Sequence, residues 1–167
     1  PLGIPSTEDK LVQEVVKMIL ESIYEPNFSD CSHGFRPKRS CHSALQQIQN
    51  QFTGITWFVE GDIHACFDSF DHHVLVNILR ERIEDENFLA LIWKMLKAGY
   101  MEQWAYNCTF SGTPQGSGVS PILANIYLSK LDDFAENLKK SFNKGKSKEN
   151  LEYQRAASKL YYIRRKN

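Results

Sequence analysis

Apolar side chains recur at helical spacing along much of the chain. After the capping-type residues Ser6 and Thr7, residues 6–25 place apolar side chains three and four positions apart, which predicts an amphipathic helix. The same spacing predicts helices at about 71–83 and 86–98, and from Pro121 until it fades beyond Asn137, and a further helix is expected at about 41–52, after the loop that precedes it. Asp71 stands where a helix N-cap is expected.

Two segments have extended character instead. Residues 55–61 are rich in β-branched and aromatic side chains and predict a buried strand, and residues 101–110 predict a short strand or hairpin. Glycine and proline residues predict loops at residues 31–40 and 112–118. The expected fold class is therefore α+β, rich in helices.

The charge of the chain is divided unevenly. The 167 residues are 42% hydrophobic and 24% charged, with no net charge, which excludes a disordered chain and a membrane-spanning protein. Residues 137–167 nevertheless carry ten basic and two acidic side chains, a local charge of +8. A basic arm that contacts nucleic acid or an acidic surface and a solvated linker both explain this segment.

The cysteines favour a reduced, cytoplasmic protein. Four cysteines are scattered along the chain, and no apolar run resembles a signal peptide. The spacing of Cys31, His33, Cys41 and His42 matches neither common pair of structural zinc sites, so no zinc is expected.

Asp62 is the first candidate for chemistry. It follows the predicted strand, at a sheet rim where carboxylates can hold Mg²⁺ together with substrate phosphates. A single aspartate at a strand end is more often a turn or cap residue, and Asp68 has the same ambiguity.

Two loops are weaker candidates. Residues 112–121, GTPQGSGVSP, form a glycine-rich loop that opens a helix and suits a phosphate or a base, although the loop matches neither the Walker nor the dinucleotide pattern. Residues 33–40, HGFRPKRS, place three cations around an aromatic ring. This composition suits a nucleic-acid strand or a triphosphate, and a solvated basic turn as well.

Taken together and in order, these stretches resemble the reverse-transcriptase domain of group II intron-encoded proteins, the maturases. PLGIP at the start is similar to the end of the family's first block, and HGFRPKRSCHSAL to its second. WFVEGDIHACFDSFDH is similar to polymerase motif A, and GTPQGSGVSPILANIYL to motif B.

The resemblance implies roles for individual residues. Asp62 would bind both catalytic Mg²⁺ ions with help from the Ile63 carbonyl, and Phe67 would be an aromatic gate that selects dNTP over rNTP. The resemblance further implies that His64, Ala65 and Cys66 border the triphosphate and that Pro114, Gln115 and Gly116 shape the nucleotide pocket. It also implies that Arg36, Lys38 and Arg39 lie near the template or primer.

The resemblance also implies an architecture, a right-hand polymerase fragment with helix-rich fingers and a partial antiparallel palm sheet. Its segments are fingers (1–56), palm with motif A (57–75), helices and hairpin (76–112), motif B loop and palm helix (113–136) and a basic variable segment (137–167). The family's downstream Asp-Asp motif is absent, so the chain is expected to be inactive alone.

The expected partners are intron RNA, an RNA template, a DNA primer and dNTP, with no membrane and with a homodimer or second chain completing the palm. The expected location is the bacterial cytoplasm. Two alternatives stay open: an intron-RNA-binding maturase module without catalysis, and a reverse transcriptase of another bacterial retroelement.

Overall fold

The structure, a computed structural model, describes residues 4–52, 60–113 and 116–142, with the side chain of residue 142 left aside. Five α-helices, two 3₁₀ turns and one hairpin occur in this part of the chain. The helices are α1 (Thr7–Tyr24), α2 (Cys41–Gln51), α3 (His72–Arg80), α4 (Glu86–Lys97) and α5 (Ser120–Phe142); the 3₁₀ turns are Glu25–Asn27 and Cys66–Asp68; and the strands are β1 (Tyr100–Glu102) and β2 (Ala105–Asn107).

Side-chain caps explain where four of these helices begin. Ser6 caps α1 by accepting from the Asp9 amide, and Ser40 caps α2 in a capping box with Ser43. The predicted N-cap of α3 is confirmed, since the Asp71 carboxylate accepts from the Val74 amide at 3.0 Å. Asp85 caps α4 in the same way.

The hydrophobic core lies between α1, α3, α4 and the first turns of α5. Its members are large aliphatic residues at helical spacing together with two aromatic residues from α1 and the turn after it: Val16, Leu20, Tyr24, Phe28, Leu75, Val76, Ile78, Leu79, Ile83, Leu89, Ile92, Leu96, Val119, Ile122, Leu123 and Ile126. Removing such side chains from water supplies most of the stabilising free energy of this part of the chain.

The hairpin is antiparallel, with Met101 opposite Tyr106. Its two-residue turn places Gln103 and Trp104 at φ +49° and +64°, the left-handed geometry that tight hairpins require. This hairpin is the only sheet in the described residues, so the partial palm sheet is not seen there. The predicted strand falls largely on residues 53–59, outside the described part, while Glu60 and Gly61 are not in a strand.

Some predicted boundaries were wrong. Helix α3 ends at Arg80, three residues early, because the chain turns at residues 81 and 82. Helix α5 continues to Phe142, past the predicted fading at Asn137, because leucine and lysine are good helix formers. The apolar face of α1 is only partly buried: Val16 and Leu20 are covered, but Leu11 and Val15 are 67% and 57% exposed.

The chain divides into two compact units, Pro1–Ser129 and Lys130–Asn167. The first contains the core. The described part of the second is helical and exposes Leu131, Phe134 and Leu138. None of the helices in the described ranges is both long and apolar enough to span a bilayer.

Candidate functional site

The segment from Gly61 to Asp71 connects the predicted strand to α3 by a tight turn. Ala65 has φ +49°, and a 3₁₀ turn over Cys66–Asp68 follows it. This geometry leaves Asp62, Ile63 and His64 exposed to solvent. The Asp62 carboxylate is therefore accessible to a cation or a ligand.

Phe67 lies at the centre of a row of aromatic rings. Its ring meets Phe35 edge-on, with centroids 6.2 Å apart and planes at 81°, and meets Phe70 at 6.3 Å and 68°. Phe70 is buried and lies 4.7 Å from the Tyr127 ring of α5. Edge-to-face pairs at such distances are favourable, so Phe67 has a defined place while staying half-exposed.

Residues 111–113 are fastened to this turn by hydrogen bonds. The Gly112 amide donates to the Phe70 carbonyl and the Thr113 amide to the Phe67 carbonyl, both at 2.7 Å. Buried His72 donates from Nε2 to the Gly112 carbonyl at 2.6 Å. We call these contacts the 112 clamp. It places the start of the glycine-rich loop beside Phe67.

Gly112 fits the clamp because it has no side chain. Its φ is +74°, and a Cβ atom there would lie 2.3 Å from the Phe67 carbonyl oxygen and 2.5 Å from Asp68 Cα. Both neighbours are backbone atoms, which cannot move aside cheaply. Any larger residue would therefore push the clamp apart.

Further along the glycine-rich loop, Gly116 has φ +100° and is exposed. The Gly118 amide donates to Gln13 Oε1 of α1 at 3.0 Å, which fixes the end of the loop. Pro114 and Gln115, both predicted site residues, lie outside the described residues.

Of the three predicted nucleic-acid-binding cations, Arg36 is buried. Its guanidinium donates to the carbonyls of Ser29 and Ser32 at 2.7 and 2.8 Å and forms an ion pair with Glu25 at 3.0 Å. These contacts give Arg36 a role in holding the loop together, because a buried guanidinium is costly to leave unpaired.

The other two cations are closer to solvent. Arg39 pairs with Asp30 at 2.9 Å, and Lys38 is exposed with φ +60°. Lys38 is thus the most accessible of the three predicted cations, and the nucleic-acid role of each remains a prediction.

Two further residues belong to this site: Phe35, the aromatic residue of the 33–40 loop, and His72, which the sequence did not single out. Phe35 meets the Phe67 ring, and His72 closes the 112 clamp. The sequence pointed to Phe35 as an aromatic residue among cations, but a histidine next to an N-cap aspartate gives no signal of its own.

The electrostatics of the turn follow from burial and one charge. Partial burial, and secondarily the negative charge of Asp62, raise the pKa of the Cys66 thiol. Within the described ranges, no three His, Cys, Asp or Glu side chains are grouped so as to hold a metal ion.

A separate cavity of about 680 Å³ lies between α1, α4 and the hairpin, lined among others by Val12, Met95 and Tyr100. It contains none of the predicted site residues.

The sequence profile described as "Reverse transcriptase (RNA-dependent DNA polymerase)" matches residues 1–149. The chain is 58% identical over 144 residues to the group II intron-encoded protein LtrA of Lactococcus lactis subsp. cremoris, covering 86% of the chain and 24% of that protein. An uncharacterized 91 kDa protein in the cob intron of Schizosaccharomyces pombe is 57% identical over 143 residues, 86% of the chain and 18% of that protein.

The nuclear intron maturase 1 of Arabidopsis thaliana is 41% identical over 93 residues, 56% of the chain and 13% of that protein. The chain thus spans about a quarter or less of these relatives.

Proposed function

Since the chain belongs to the reverse-transcriptase family, we propose that residues 60–118 form part of the nucleotide-binding site of an RNA-directed DNA polymerase encoded by a group II intron. The intact parent protein copies RNA into DNA, binds its intron RNA and assists splicing. The names of the relatives, a group II intron-encoded protein and an intron maturase, support the second part of this proposal.

One observation carries the proposal. The exposed turn with Asp62 and Phe67 is joined to the glycine-rich loop by the 112 clamp, although the two stretches are about 40 residues apart in sequence. An exposed carboxylate and a half-exposed aromatic ring of one turn are thus joined to the start of the glycine-rich loop. A nucleotide offers matching chemistry: a metal-bound triphosphate, a sugar and a base.

We propose Mg²⁺ as the cofactor, held by Asp62 with the Ile63 carbonyl as an additional ligand. Both residues are exposed, and their oxygens are the kind that Mg²⁺ prefers. A two-metal site needs further carboxylates, which this part of the chain does not group around Asp62. When bound, the metal ions would lower the pKa of the primer hydroxyl and stabilise the leaving pyrophosphate.

The residues of the turn select and position the nucleotide in this proposal. Phe67 places its ring under the sugar and collides with a 2′-hydroxyl, which favours dNTP over rNTP. The exposed backbone of His64 and Ala65 and the half-buried Cys66 border the triphosphate. Pro114, Gln115 and Gly116 shape the pocket on the side of the glycine-rich loop.

The loop of residues 33–40 lies in the fingers in this proposal, near the template or primer. Lys38 and Arg39 contact the phosphate backbone there, since Lys38 is exposed and Arg39 is partly so. Arg36 holds the loop that carries them, through its hydrogen bonds to Ser29 and Ser32 and its ion pair with Glu25.

We also propose that a second chain or a second copy covers apolar surface on α1, where Leu11, Val15 and Met18 are exposed. Light scattering of the chain at several concentrations tests this. A monomer at all of them, with no partner chain bound, contradicts it.

Primer extension by the intact parent tests the proposed function. We expect dNTP addition to a DNA primer on an RNA template with Mg²⁺ and none with a chelator. Tight binding of intron RNA without any dNTP addition would contradict the proposal and favour the non-catalytic maturase module.

A further inference from the structure

Phe35 has an unusual combination of exposure and backbone geometry. Its side chain is 71% exposed, and its φ of +53° lies in the left-handed region that bulky residues rarely adopt. An exposed aromatic ring contributes little to folding, and the backbone geometry opposes it. Such a conformation persists where the surrounding structure imposes it, which happens most often at functional sites.

The residues on either side of Phe35 impose this left-handed backbone conformation. The Gly34 carbonyl accepts from Asn125 Nδ2 of α5 at 2.9 Å. On the other side, the buried Arg36 guanidinium is held by Glu25, Ser29 and Ser32. The loop backbone is thus held on both sides of Phe35, and this limits the positions that the Phe35 ring can take.

The Phe35 ring forms a T-shaped pair with the Phe67 ring. The two ring centroids are 6.2 Å apart, with the planes at 81°. On its other side Phe67 meets Phe70, which is 2% exposed and belongs to the packed interior. Phe67 therefore lies between a fixed buried ring and a ring presented from the loop, and Phe35 restricts the rotation and tilt that Phe67 would otherwise have.

We propose that Phe35 is a positioning residue for sugar selection: it holds the Phe67 ring at the height where a 2′-hydroxyl collides with it. This inference rests on the proposed function, in which Phe67 is the sugar gate. Phe35 acts through Phe67 and need not touch the nucleotide. Without Phe35, the Phe67 ring can tilt away and admit an rNTP.

The test measures kcat/KM for dNTP and for rNTP with the intact parent protein on an RNA template. Phe35→Ala is expected to lower the dNTP preference by about two- to tenfold, the range that corresponds to losing one aromatic pair. Phe35→Tyr keeps the ring and should keep the preference. Phe134→Ala, which removes an exposed aromatic residue of α5 (63%) outside the proposed nucleotide site, is the matched control and should leave the preference unchanged.

A second variant separates this role from folding. Phe35→Gly also removes the ring but accepts a positive φ, so it should reduce the dNTP preference without lowering the melting temperature. In a Phe67→Ala background, where the gate is already gone, adding Phe35→Ala should have no further effect.

An unchanged dNTP preference in Phe35→Ala, with a reduced one in Phe67→Ala, overturns the inference and leaves the proposed function standing. Equal losses for dNTP and rNTP in Phe35→Ala also overturn it, since they indicate a general role in the loop. An unchanged preference in Phe67→Ala, or a wild-type protein that adds no nucleotide, refutes the proposed gate and this inference together.

Discussion

The core between α3 and α4 and the turn around Phe67 are held in place by different forces. In the core, Leu75, Leu79 and Leu89 are 1% exposed or less, and burial of apolar surface fixes them. In the turn, Asp62 and His64 are exposed, and hydrogen bonds between distant backbone segments fix the conformation. We therefore expect lost side-chain volume to destabilise the core most, and a displaced backbone to destabilise the turn most.

The largest expected effect comes from lost volume in the core. Leu79→Ala should lower the free energy of unfolding by about 2–5 kcal/mol, because Leu79 is fully buried and its removal leaves a cavity. Urea denaturation of the chain measures this. Leu45→Ala on α2, where the leucine is 65% exposed, is the control and should change it by less than about 0.5 kcal/mol.

The next largest effect comes from the backbone of the turn. Gly112→Ala should cost about 1–3 kcal/mol of folding stability, because alanine is strained at φ +74° and its Cβ would meet the Phe67 carbonyl. Gly34→Ala is the matched control, since a Cβ there meets no atom within 4 Å. Equal melting temperatures for the two variants would show that the 112 clamp does not hold the turn.

A smaller effect is expected at the end of the turn, where Asp71 begins α3. The hydrogen bond from the Val74 amide lowers the pKa of the Asp71 carboxyl. A group with a lowered folded-state pKa contributes stability above its unfolded pKa, and that contribution is lost as the pH falls through the folded value.

Asp71→Asn keeps a capping side chain but does not titrate, so its melting temperature should fall less than that of the wild type between neutral and acidic pH. Equal decreases in melting temperature for the two proteins over this pH range would contradict this role of the Asp71 carboxylate.

The smallest expected effect concerns the charge of the turn. Asp62 is the secondary cause, after burial, of the raised pKa of the Cys66 thiol. Asp62→Asn should therefore modestly speed the alkylation of Cys66 at neutral pH, because the thiolate is the reactive form. Exposed Cys108 in the same protein is the internal reference. An unchanged ratio of the two rates would show that Asp62 does not act on this thiol.

Local patterns in the sequence predicted the elements of the core well. Apolar spacing predicted α1, α3, α4 and the start of α5, and the N-cap at Asp71 was confirmed. The reason is physical: period and capping depend on residues within one turn of each other. The exposure of Leu11 and Val15 was not predictable, since an apolar face does not reveal what covers it.

The contacts of the site were much less predictable. The bonds between residues 67–72 and 111–113 join segments about 40 residues apart, and no local pattern announces them. Arg36 is an example of the difficulty, because a cation in a glycine- and proline-containing loop suggests a nucleic-acid contact. Its internal partner Glu25 became apparent only in three dimensions.

The role of Asp62 in nucleotide addition is the claim on which the account depends most. The direct measurement is the rate of a single dNTP addition by the intact parent protein, comparing Asp62→Ala with Asp68→Ala, which removes another exposed carboxylate of the same turn. We expect a loss of at least about a hundredfold for Asp62→Ala, because it removes a ligand of the metal ions that stabilise the developing charge, and near wild-type rates for Asp68→Ala. Undiminished addition by Asp62→Ala would contradict it.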